Sequence, residues 1–359
     1  MSAIISTIII TTLLLNIGLV VLFITNFKKY TKKWDELPSV SVLLAARNEE
    51  ANIERCLNSL ASLDYPIDKL QILVGDDCSE DNTWQIIDKF QSKYPFIQSF
   101  HITEQIGEQK GKANVLAQLA HKATGNFFLV TDADMLLPPS WIHGMLSAME
   151  KKVGLAIGVT HDDNNKMQNI DWLFALGMVK VITDLGLPVT GMGNNMIVSK
   201  EAYKSVGGYE SLPFSITEDL ELFKHIKKKG HECKHLFQKE VLGKTLPIKG
   251  LFNLLNQRKR WMKGAYELQW HMIILLIFQA CFYPCLIALL FVAPLIASVI
   301  FTTKIILQFF FMMLIRKRLN LSFNLLSALL YEFYSIFISI FSVLYYLLPV
   351  KIIWKGREY

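Results

Sequence analysis

The two ends of this chain are apolar and its middle is not. Residues 3–25 carry no charged side chain, and a helix of that length spans the hydrocarbon core of a bilayer. A second apolar region covers residues 271–350, with the basic group Arg316-Lys317-Arg318 inside it. Backbone polar groups within a bilayer must pair inside a helix. The ends are therefore predicted to be membrane helices, with a polar domain between them outside the bilayer.

Four lysines directly follow the first apolar stretch: Lys28, Lys29, Lys32 and Lys33. A secretory signal peptide has the reverse order, with charge before the apolar run and a cleavage site after it. Residues 1–27 are therefore predicted to be an uncleaved anchor and residues 28–38 a basic juxtamembrane linker. Since basic flanks stay on the cytoplasmic side, we expect an integral protein of a bacterial inner or plasma membrane with a cytoplasmic polar domain.

The C-terminal apolar region is long enough for about three membrane segments between residues 271 and 350. A basic tail at residues 351–359 follows. The tail and the group Arg316-Lys317-Arg318 flank the last segment, so both cannot be cytoplasmic if that segment crosses fully. Residues 272–290 are therefore our candidate for an interfacial or re-entrant segment.

The middle of the chain alternates between strand-like and helix-like patterns, which predicts a compact domain at residues 39–240. Alternating strands and helices favour a Rossmann-like α/β fold with a mostly parallel sheet. Polar residues follow the apolar strands one after another, and parallel strands bring such ends to one edge, where ligands bind. The predicted strands are residues 40–45, 70–74, 97–102 and 127–131.

Asp132 and Asp134 come directly after the most apolar of these strands. Two carboxylates one residue apart can share one hard divalent cation, with a diphosphate filling the remaining positions. An Asp-x-Asp in a loop is common without any function, but a place at the end of a buried strand favours the metal-binding interpretation. We therefore predict Asp132 and Asp134 as metal ligands.

Asp76 and Asp77 follow the second strand in the same way. Their carboxylates can accept hydrogen bonds from a nucleotide base or from a ribose hydroxyl. The simpler alternative is that they cap the helix that follows. Because a second pair of carboxylates ends a neighbouring strand, we favour nucleotide contact for both.

Lys110 and Lys112 flank Gly111 where a helix is predicted to begin. A lysine at a helix N-terminus can reach a phosphate, to which the helix N–H groups also present partial positive charge. A solvated basic loop is the alternative. Of the two lysines, Lys112 is the better candidate for a contact with the phosphates of a bound nucleotide.

Glu218 and Asp219 open another predicted helix. Either could simply cap that helix, yet a carboxylate beside an acceptor hydroxyl is also what a general base requires. Asp219 is the predicted catalytic base and Glu218 the second choice. The glycine-rich run before the strand at 196–198 suggests a close approach to a ligand or only a tight turn, with Asn194 and Asn195 as candidate acceptor-sugar contacts.

Gln257, Arg260 and Trp261 mark a basic and aromatic run just before the C-terminal apolar region. Residues 241–270 around them are predicted to form an amphipathic segment at the membrane surface. In the simpler interpretation the cations face lipid phosphates and Trp261 lies in the interface belt. In the alternative, Arg260 pairs with a diphosphate and Trp261 packs against an acceptor sugar.

The charge distribution argues against a nucleic-acid partner. The net charge is only +6 for 359 residues, and the basic residues cluster beside the apolar ends, which suits membrane lipids and phosphates. Aromatic residues do not alternate with basic ones, as nucleic-acid binding would favour. The five cysteines form no Cys-x-x-Cys pair and are expected to be free thiols in a cytoplasmic domain.

Together these motifs resemble the family 2 glycosyltransferases, in particular the membrane-embedded branch with the cellulose, hyaluronan and poly-N-acetylglucosamine synthases. The resemblance covers residues 39–265, and the motifs occur in the family's order. They are Val42-Leu43-Leu44-Ala45-Ala46-Arg47-Asn48-Glu49, Asp76-Asp77-Cys78-Ser79, Gly111-Lys112-Ala113, Asp132-Ala133-Asp134, Gly207-Gly208-Tyr209, Thr217-Glu218-Asp219 and Gln257-x-x-Arg260-Trp261.

The resemblance implies a GT-A fold, a nucleotide-sugar donor, expected to be a UDP-sugar, and Mg²⁺ or Mn²⁺. It also implies inversion at the anomeric carbon, which gives a β-glycosidic bond. It assigns the base contact to Asp77, the ribose or diphosphate side to Asp132, the metal to Asp134 and the catalytic base to Asp219.

By the same resemblance, Gln257, Arg260 and Trp261 lie over the diphosphate and the acceptor site. A growing polysaccharide is the expected acceptor. A membrane lipid such as ceramide, diacylglycerol or polyprenyl phosphate is the alternative, because ceramide glucosyltransferase-like enzymes carry a similar Arg-Trp motif. A non-catalytic membrane subunit that only binds nucleotide or a partner is disfavoured, because all the acidic motifs are intact.

Overall fold

The computed structural model describes residues 2–162, 166–265, 267–322, 324–355 and 357–358. The chain divides into two compact units, each assembled from separate stretches of sequence. The first comprises residues 1–28, 165–189 and 250–349, and the second comprises residues 29–164, 190–249 and 350–359. Each unit is therefore interrupted by the other along the sequence.

The regular secondary structure of the first unit is helical in the residues that the structure describes. Two helices of moderate length, α6 (Lys166–Asp184) and α9 (Leu251–Ala265), belong to it. Four longer helices in the described residues are apolar enough to cross a membrane, one N-terminal and three C-terminal, which is the number predicted. With helices numbered in chain order, these four are α1 (Ser2–Thr25), α10 (Trp270–Val292), α11 (Pro294–Leu319) and α12 (Leu325–Leu347).

The two prolines of the C-terminal apolar region have different places in its helices. Pro294 is the first residue of α11, where its missing N–H removes no helical hydrogen bond and its fixed φ suits the helix. Pro284, in contrast, lies inside α10, which is one helix of 23 residues. This segment was our candidate for an interfacial position; its placement across or along a membrane stays a prediction.

The long helices of the first unit bury a small group of polar side chains. Lys304 and Glu332 form an ion pair, and they are 5% and 1% exposed. The hydroxyl of Tyr283 donates to Glu332, and the Lys304 ammonium lies 2.9 Å from the Tyr283 oxygen. Ionisable side chains between membrane helices are costly unless they are paired. The group therefore links α10, α11 and α12 through directional contacts.

The helix α6 was not predicted as a separate element. It packs against α1, α11 and α12, and a side chain at Gly177 would lie about 3.0 Å from the Phe311 ring. Its fully buried Lys180 pairs with Asp184 at 2.8 Å and donates to the carbonyl of Lys28 at 2.8 Å. These contacts fix α6 against the end of α1.

The second unit contains a seven-stranded sheet with the order β3-β2-β1-β4-β7-β5-β8. The first four strands in the chain are parallel, and β7 runs antiparallel to its neighbours β4 and β5. The predicted mostly parallel α/β sheet is thus confirmed. The strands are β1 (Val40–Ala46), β2 (Leu70–Asp76), β3 (Ile97–His101), β4 (Phe127–Asp132), β5 (Val153–Ile157), β7 (Asn195–Ser199) and β8 (Glu232–His235).

Helices and two small sheets complete the second unit. A parallel pair is formed by β6 (Val159–Asp162) and β9 (Leu242–Thr245), and an antiparallel hairpin by β10 (Ile353–Trp354) and β11 (Arg357–Glu358). The helices bury one apolar face each, as their spacing predicts. They are α2 (Ile53–Ala61), α3 (Thr83–Lys93), α4 (Lys112–Lys122), α5 (Trp141–Leu146), α7 (Lys200–Ser205) and α8 (Glu218–Lys228).

The register of the central strands brings the predicted site carboxylates to one edge. Ala46 of β1 pairs with Asp76 of β2, and Ala45 of β1 pairs with Asp132 of β4. The strand β1 is thus flanked by two strands that both end in an aspartate. This is the edge at which open α/β sheets bind ligands.

Candidate active site

Lys112 joins the end of β4 to the start of α8. Its ammonium lies 2.6 Å from Oδ1 of Asp132 and 3.0 Å from Oε1 of Glu218. Burial alone would lower the pKa of Lys112, but the charges of Asp132, Glu218 and Asp219 together raise it above its usual value. Lys112 is therefore a permanent cation among three carboxylates.

Lys112 reaches this position because a glycine begins the turn into α4. Gly111 has a φ of 58°, which glycine adopts without the penalty that a side chain brings. Gly193 leaves space for the end of the Lys112 side chain, because a Cβ at residue 193 would lie only 2.7 Å from the Lys112 ammonium. The two glycines therefore serve the placement of one lysine.

Asp219 is held by the backbone at both carboxylate oxygens. The N–H of Gly193 donates to Oδ2 at 2.7 Å, and the N–H of Leu220 donates to Oδ1 at 2.8 Å. Burial, followed by the charge of Glu218, raises the pKa of Asp219 to about 6, although Lys112 acts in the opposite direction. A fixed carboxylate with such a pKa can accept a proton near neutral pH.

Asp134 lies beside the same strand end. Its Oδ2 accepts a hydrogen bond from the Thr245 hydroxyl at 3.1 Å, and its carbonyl accepts one from Arg55 at 2.5 Å. Burial, followed by the charges of Asp132 and Glu49, raises the pKa of Asp134 to about 6. Asp134 is therefore a carboxylate in surroundings with excess negative charge, which a cation would relieve.

Asp76 and Asp77 have different surroundings although they are adjacent. Asp76 is fully buried, and its Oδ2 accepts from the N–H of Ser79 at 3.1 Å and lies 3.0 Å from His101 Nδ1. Asp77 keeps 10% of its side chain exposed and is contacted by Arg357. Of the two predicted nucleotide contacts, Asp77 is the one at the surface of the crevice.

The glycine-rich run around residue 193 contains one residue that serves the core. Asn195 is fully buried, and its Oδ1 accepts from the indole of Trp141 at 2.8 Å. Its Nδ2 donates to the carbonyls of Val159 and Val241 at 3.0 and 2.8 Å. With both amide hydrogens used, Asn195 joins β7 to β6 and to the residue before β9, and it has no donor left for an acceptor sugar.

The structure adds residues that the sequence motifs did not single out as functional. Glu49, at the end of the first strand motif, lies close enough to Asp134 to raise its pKa. The hydroxyl of Tyr209 is buried and has no hydrogen-bond partner among the described residues. Burial, followed by the charge of Glu218, raises the pKa of Tyr209, so this hydroxyl lies near the carboxylates. The Gly207-Gly208-Tyr209 motif was the only signal for it.

Gln257, Arg260 and Trp261 belong to α9 of the first unit. Trp261 stacks on Trp172 of α6, with ring centroids 5.0 Å apart. Arg258 lies 4.7 Å from the Trp261 ring and forms an ion pair with Asp171 of α6. The aromatic end of the predicted motif is thus packed on α6, and its contact with a diphosphate or a sugar stays a prediction.

The fold and the carboxylate cluster define a glycosyltransferase with a GT-A type fold. A mannosyltransferase from Pyrobaculum calidifontis, solved in complex with GDP-Man and Mn²⁺, has a similar structure with a TM-score of 0.54 and 19% identity. The similarity covers 88% of this chain and 99% of that one. The sequence also matches Glycosyl transferase family 21 over residues 4–359. The chain belongs to this family.

Two groups of curated relatives have different products in their names. A β-monoglucosyldiacylglycerol synthase of Synechocystis sp. is 29% identical over 238 residues, 64% of this chain and 48% of that protein. A poly-β-1,6-N-acetyl-D-glucosamine synthase of Staphylococcus aureus is 28% identical over 241 residues, 65% of this chain and 56% of that protein. The matched region thus spans about half the length of these relatives.

Proposed function

We propose that this protein transfers a sugar from a nucleotide-sugar to an acceptor hydroxyl at a membrane, with inversion at the anomeric carbon. The observation that carries the proposal is Asp219, fixed at both oxygens by backbone N–H groups beside Lys112 and Glu218. A base in a cluster of carboxylates and a lysine suits a donor that leaves as a diphosphate.

At the anomeric carbon the proposed reaction forms one bond and breaks one, and one proton moves to Asp219. Asp219 takes the proton of the acceptor hydroxyl, whose oxygen attacks the anomeric carbon from the face opposite the leaving group. The bond between that carbon and the diphosphate oxygen breaks, and the nucleoside diphosphate departs with the electron pair. An α-linked donor then gives a β-glycoside.

Asp132 and Asp134 fit a divalent cation that is shared with a diphosphate. No group of three or more His, Cys, Asp or Glu side chains among the described residues could hold a metal ion by itself. Mg²⁺ at phosphoryl substrates commonly uses one or two carboxylates plus the phosphates. Bound there, Mg²⁺ or Mn²⁺ would offset the charge of the leaving diphosphate. The Mn²⁺ in the complex of the structurally similar mannosyltransferase supports this assignment.

Lys112 has a positioning role in this proposal. An ammonium has three N–H donors, and two of them are directed at Asp132 and Glu218. We assign these two pairs to holding the carboxylates in place and the third donor to a phosphate of the donor. Asp77 is assigned to the nucleotide base, since it is more exposed than Asp76.

The acceptor is proposed to be presented by the membrane. The four candidate membrane helices and the lysines after α1 support an integral protein with its second unit in the cytoplasm. We place Gln257, Arg260 and Trp261 at the diphosphate and the acceptor, as their similarity to the synthase motif suggests. A growing polysaccharide is the first candidate acceptor, supported by the similarity to a poly-N-acetylglucosamine synthase. A membrane lipid is the second, supported by the equally similar glucosyldiacylglycerol synthase.

One experiment tests the activity and the acceptor together. Membranes that contain the protein are incubated with a panel of labelled UDP- and GDP-sugars and MnCl₂ and are then extracted with organic solvent. Label in polymer supports the first acceptor, and label in the organic phase excludes it and supports the lipid. Asp134→Asn should raise the Mn²⁺ concentration that transfer requires. Absence of transfer from every donor would contradict the proposed function.

A further inference from the structure

The last described residues of the chain form a small hairpin on the second unit. Ile353 pairs with Glu358 and Trp354 with Arg357 in an antiparallel register. An isolated two-stranded hairpin is at best marginally stable in water. Its place therefore depends on what it contacts, and Ile352 before it is only 5% exposed.

Two cations of this hairpin contact carboxylates of the candidate active site. Arg357 forks onto Asp77, with one nitrogen 2.5 Å from Oδ2 and the other 3.0 Å from Oδ1. Lys355, in the turn with a φ of 50°, forms an ion pair with Glu49. Arg47 donates to the Lys355 carbonyl at 3.2 Å. The bidentate pair of Arg357 with Asp77 belongs to the stronger class of charged hydrogen bonds.

These contacts lie where the proposed donor must bind. Arg357 occupies both oxygens of Asp77, which is assigned to the nucleotide base, and leaves that side chain 10% exposed. Lys355 is near enough to Asp134, the assigned metal ligand, for its positive charge to lower the pKa of that carboxyl. A divalent cation on Asp134 would repel the ammonium of Lys355. The hairpin and the complex of metal ion and nucleotide therefore need the same carboxylates.

We propose that the C-terminal hairpin competes with the nucleotide donor for the carboxylates of the active site. The hairpin must undock from these carboxylates before the metal and the nucleotide bind. The inference rests on the proposed function and adds a regulation of the same site. If the protein binds the nucleotide only when the hairpin is undocked, its apparent affinity is reduced in proportion to the fraction of molecules with an undocked hairpin. A hairpin docked nine-tenths of the time would weaken donor binding about tenfold.

The chain offers a matched control for the two cations. Lys351 is in the same tail and pairs with Glu358 at 2.7 Å, but that pair is exposed to solvent. Replacing Lys351 removes one positive charge from the tail, as replacing Lys355 alone does, which is half of what the double replacement of Lys355 and Arg357 removes. Any effect of overall charge on nucleotide binding should therefore appear in Lys351→Ala as well.

Calorimetry on the full-length protein in detergent tests the competition, with UDP and GDP as probes in the presence of MnCl₂. The Lys355→Ala and Arg357→Ala double variant should bind the nucleotide about tenfold more tightly than the wild type, and Lys351→Ala should bind like the wild type. Unchanged binding in the double variant would overturn the proposal. Weaker binding would also overturn it, because the hairpin would then help to hold the nucleotide.

Hydrogen exchange of the C-terminal peptide separates this inference from the proposed function. Exchange at the hairpin should be slow in the wild type, faster in Asp77→Asn, and faster in the wild type once Mn²⁺ and the nucleotide are added. If the nucleotide binds and protection persists, the competition is refuted. If neither UDP nor GDP binds any variant, the proposed donor site fails and the competition with it, while the Asp77→Asn comparison still reports whether the hairpin docks.

Discussion

The ammonium of Lys112 lies 2.6 Å from Oδ1 of Asp132. The sequence had suggested a donor-phosphate contact for Lys112, and the structure shows a cation that is already paired with the strand-end carboxylate and with Glu218. The same charge acts on Asp219 and lowers its pKa. Lys112 thus connects the predicted donor side of the site to the predicted base.

Replacing Lys112 should move the acid limb of the pH profile. A base must be deprotonated to act, so transfer by the wild type should fall as pH drops through about 6, the pKa of Asp219. Lys112→Met removes a charge that lowers this pKa, and the limb should move to higher pH by roughly one unit. The measurement is kcat against pH. Lys110→Met, an exposed neighbour, is the control, and a Lys112→Met profile equal to it would contradict the prediction.

Asp219→Asn should abolish transfer and keep nucleotide binding. General-base catalysis contributes about 10²- to 10⁴-fold, so kcat should fall by at least that range while the Kd of the nucleoside diphosphate with Mn²⁺ stays near the wild-type value. Glu218→Gln, the second candidate for the base, should lower kcat less. Loss of binding in Asp219→Asn without a selective loss of turnover would argue against the base assignment.

Gly193→Ala should reduce activity through Lys112. The added Cβ would lie 2.7 Å from the ammonium, so the end of the Lys112 side chain must shift from its position between Asp132 and Glu218. The steady-state rate of the alanine variant reports the effect. In a Lys112→Ala background the same glycine change should add less, since the nearest atom that the Cβ would meet is gone. Additive losses in the two variants would refute this coupling.

Lys304→Leu should destabilise the first unit more than the double replacement of Lys304 and Glu332 by leucine. Breaking a buried ion pair from one side leaves an unpaired charge and costs about 3–5 kcal/mol, whereas replacing both partners is often neutral. Thermal unfolding in detergent compares the single and double variants. Equal losses of Tm in both would show that the pair itself stabilises the helices.

The predictable part of the structure is the part that local sequence pattern determines. The apolar runs that became β1, β2 and β4 each end in polar residues, and their parallel pairing brings Asp76 and Asp132 to one edge. This follows from strand patterns and from the rule that parallel strands share an edge. The four helices that are apolar enough to cross a membrane follow from length and hydropathy in the same way.

The remaining features depend on contacts between distant parts of the chain. Nothing in the local pattern around Lys112 indicates Glu218 as its partner, because the two residues are 106 positions apart and only the tertiary fold brings them together. The helix α6 is defined by its contacts with α1, α11 and α12. The tail was predicted only as a basic segment, and the fork of Arg357 on Asp77 is a tertiary contact.

The interleaving of the two units has a consequence for biosynthesis. The partners of α6 within its unit include α11 and α12, which are translated after the whole sheet of the second unit. When α6 emerges from the ribosome, of these three partners only α1 has been made. The helical unit can therefore be completed only at the end of translation, and until then the side of α6 that packs on α11 and α12 lacks these partners.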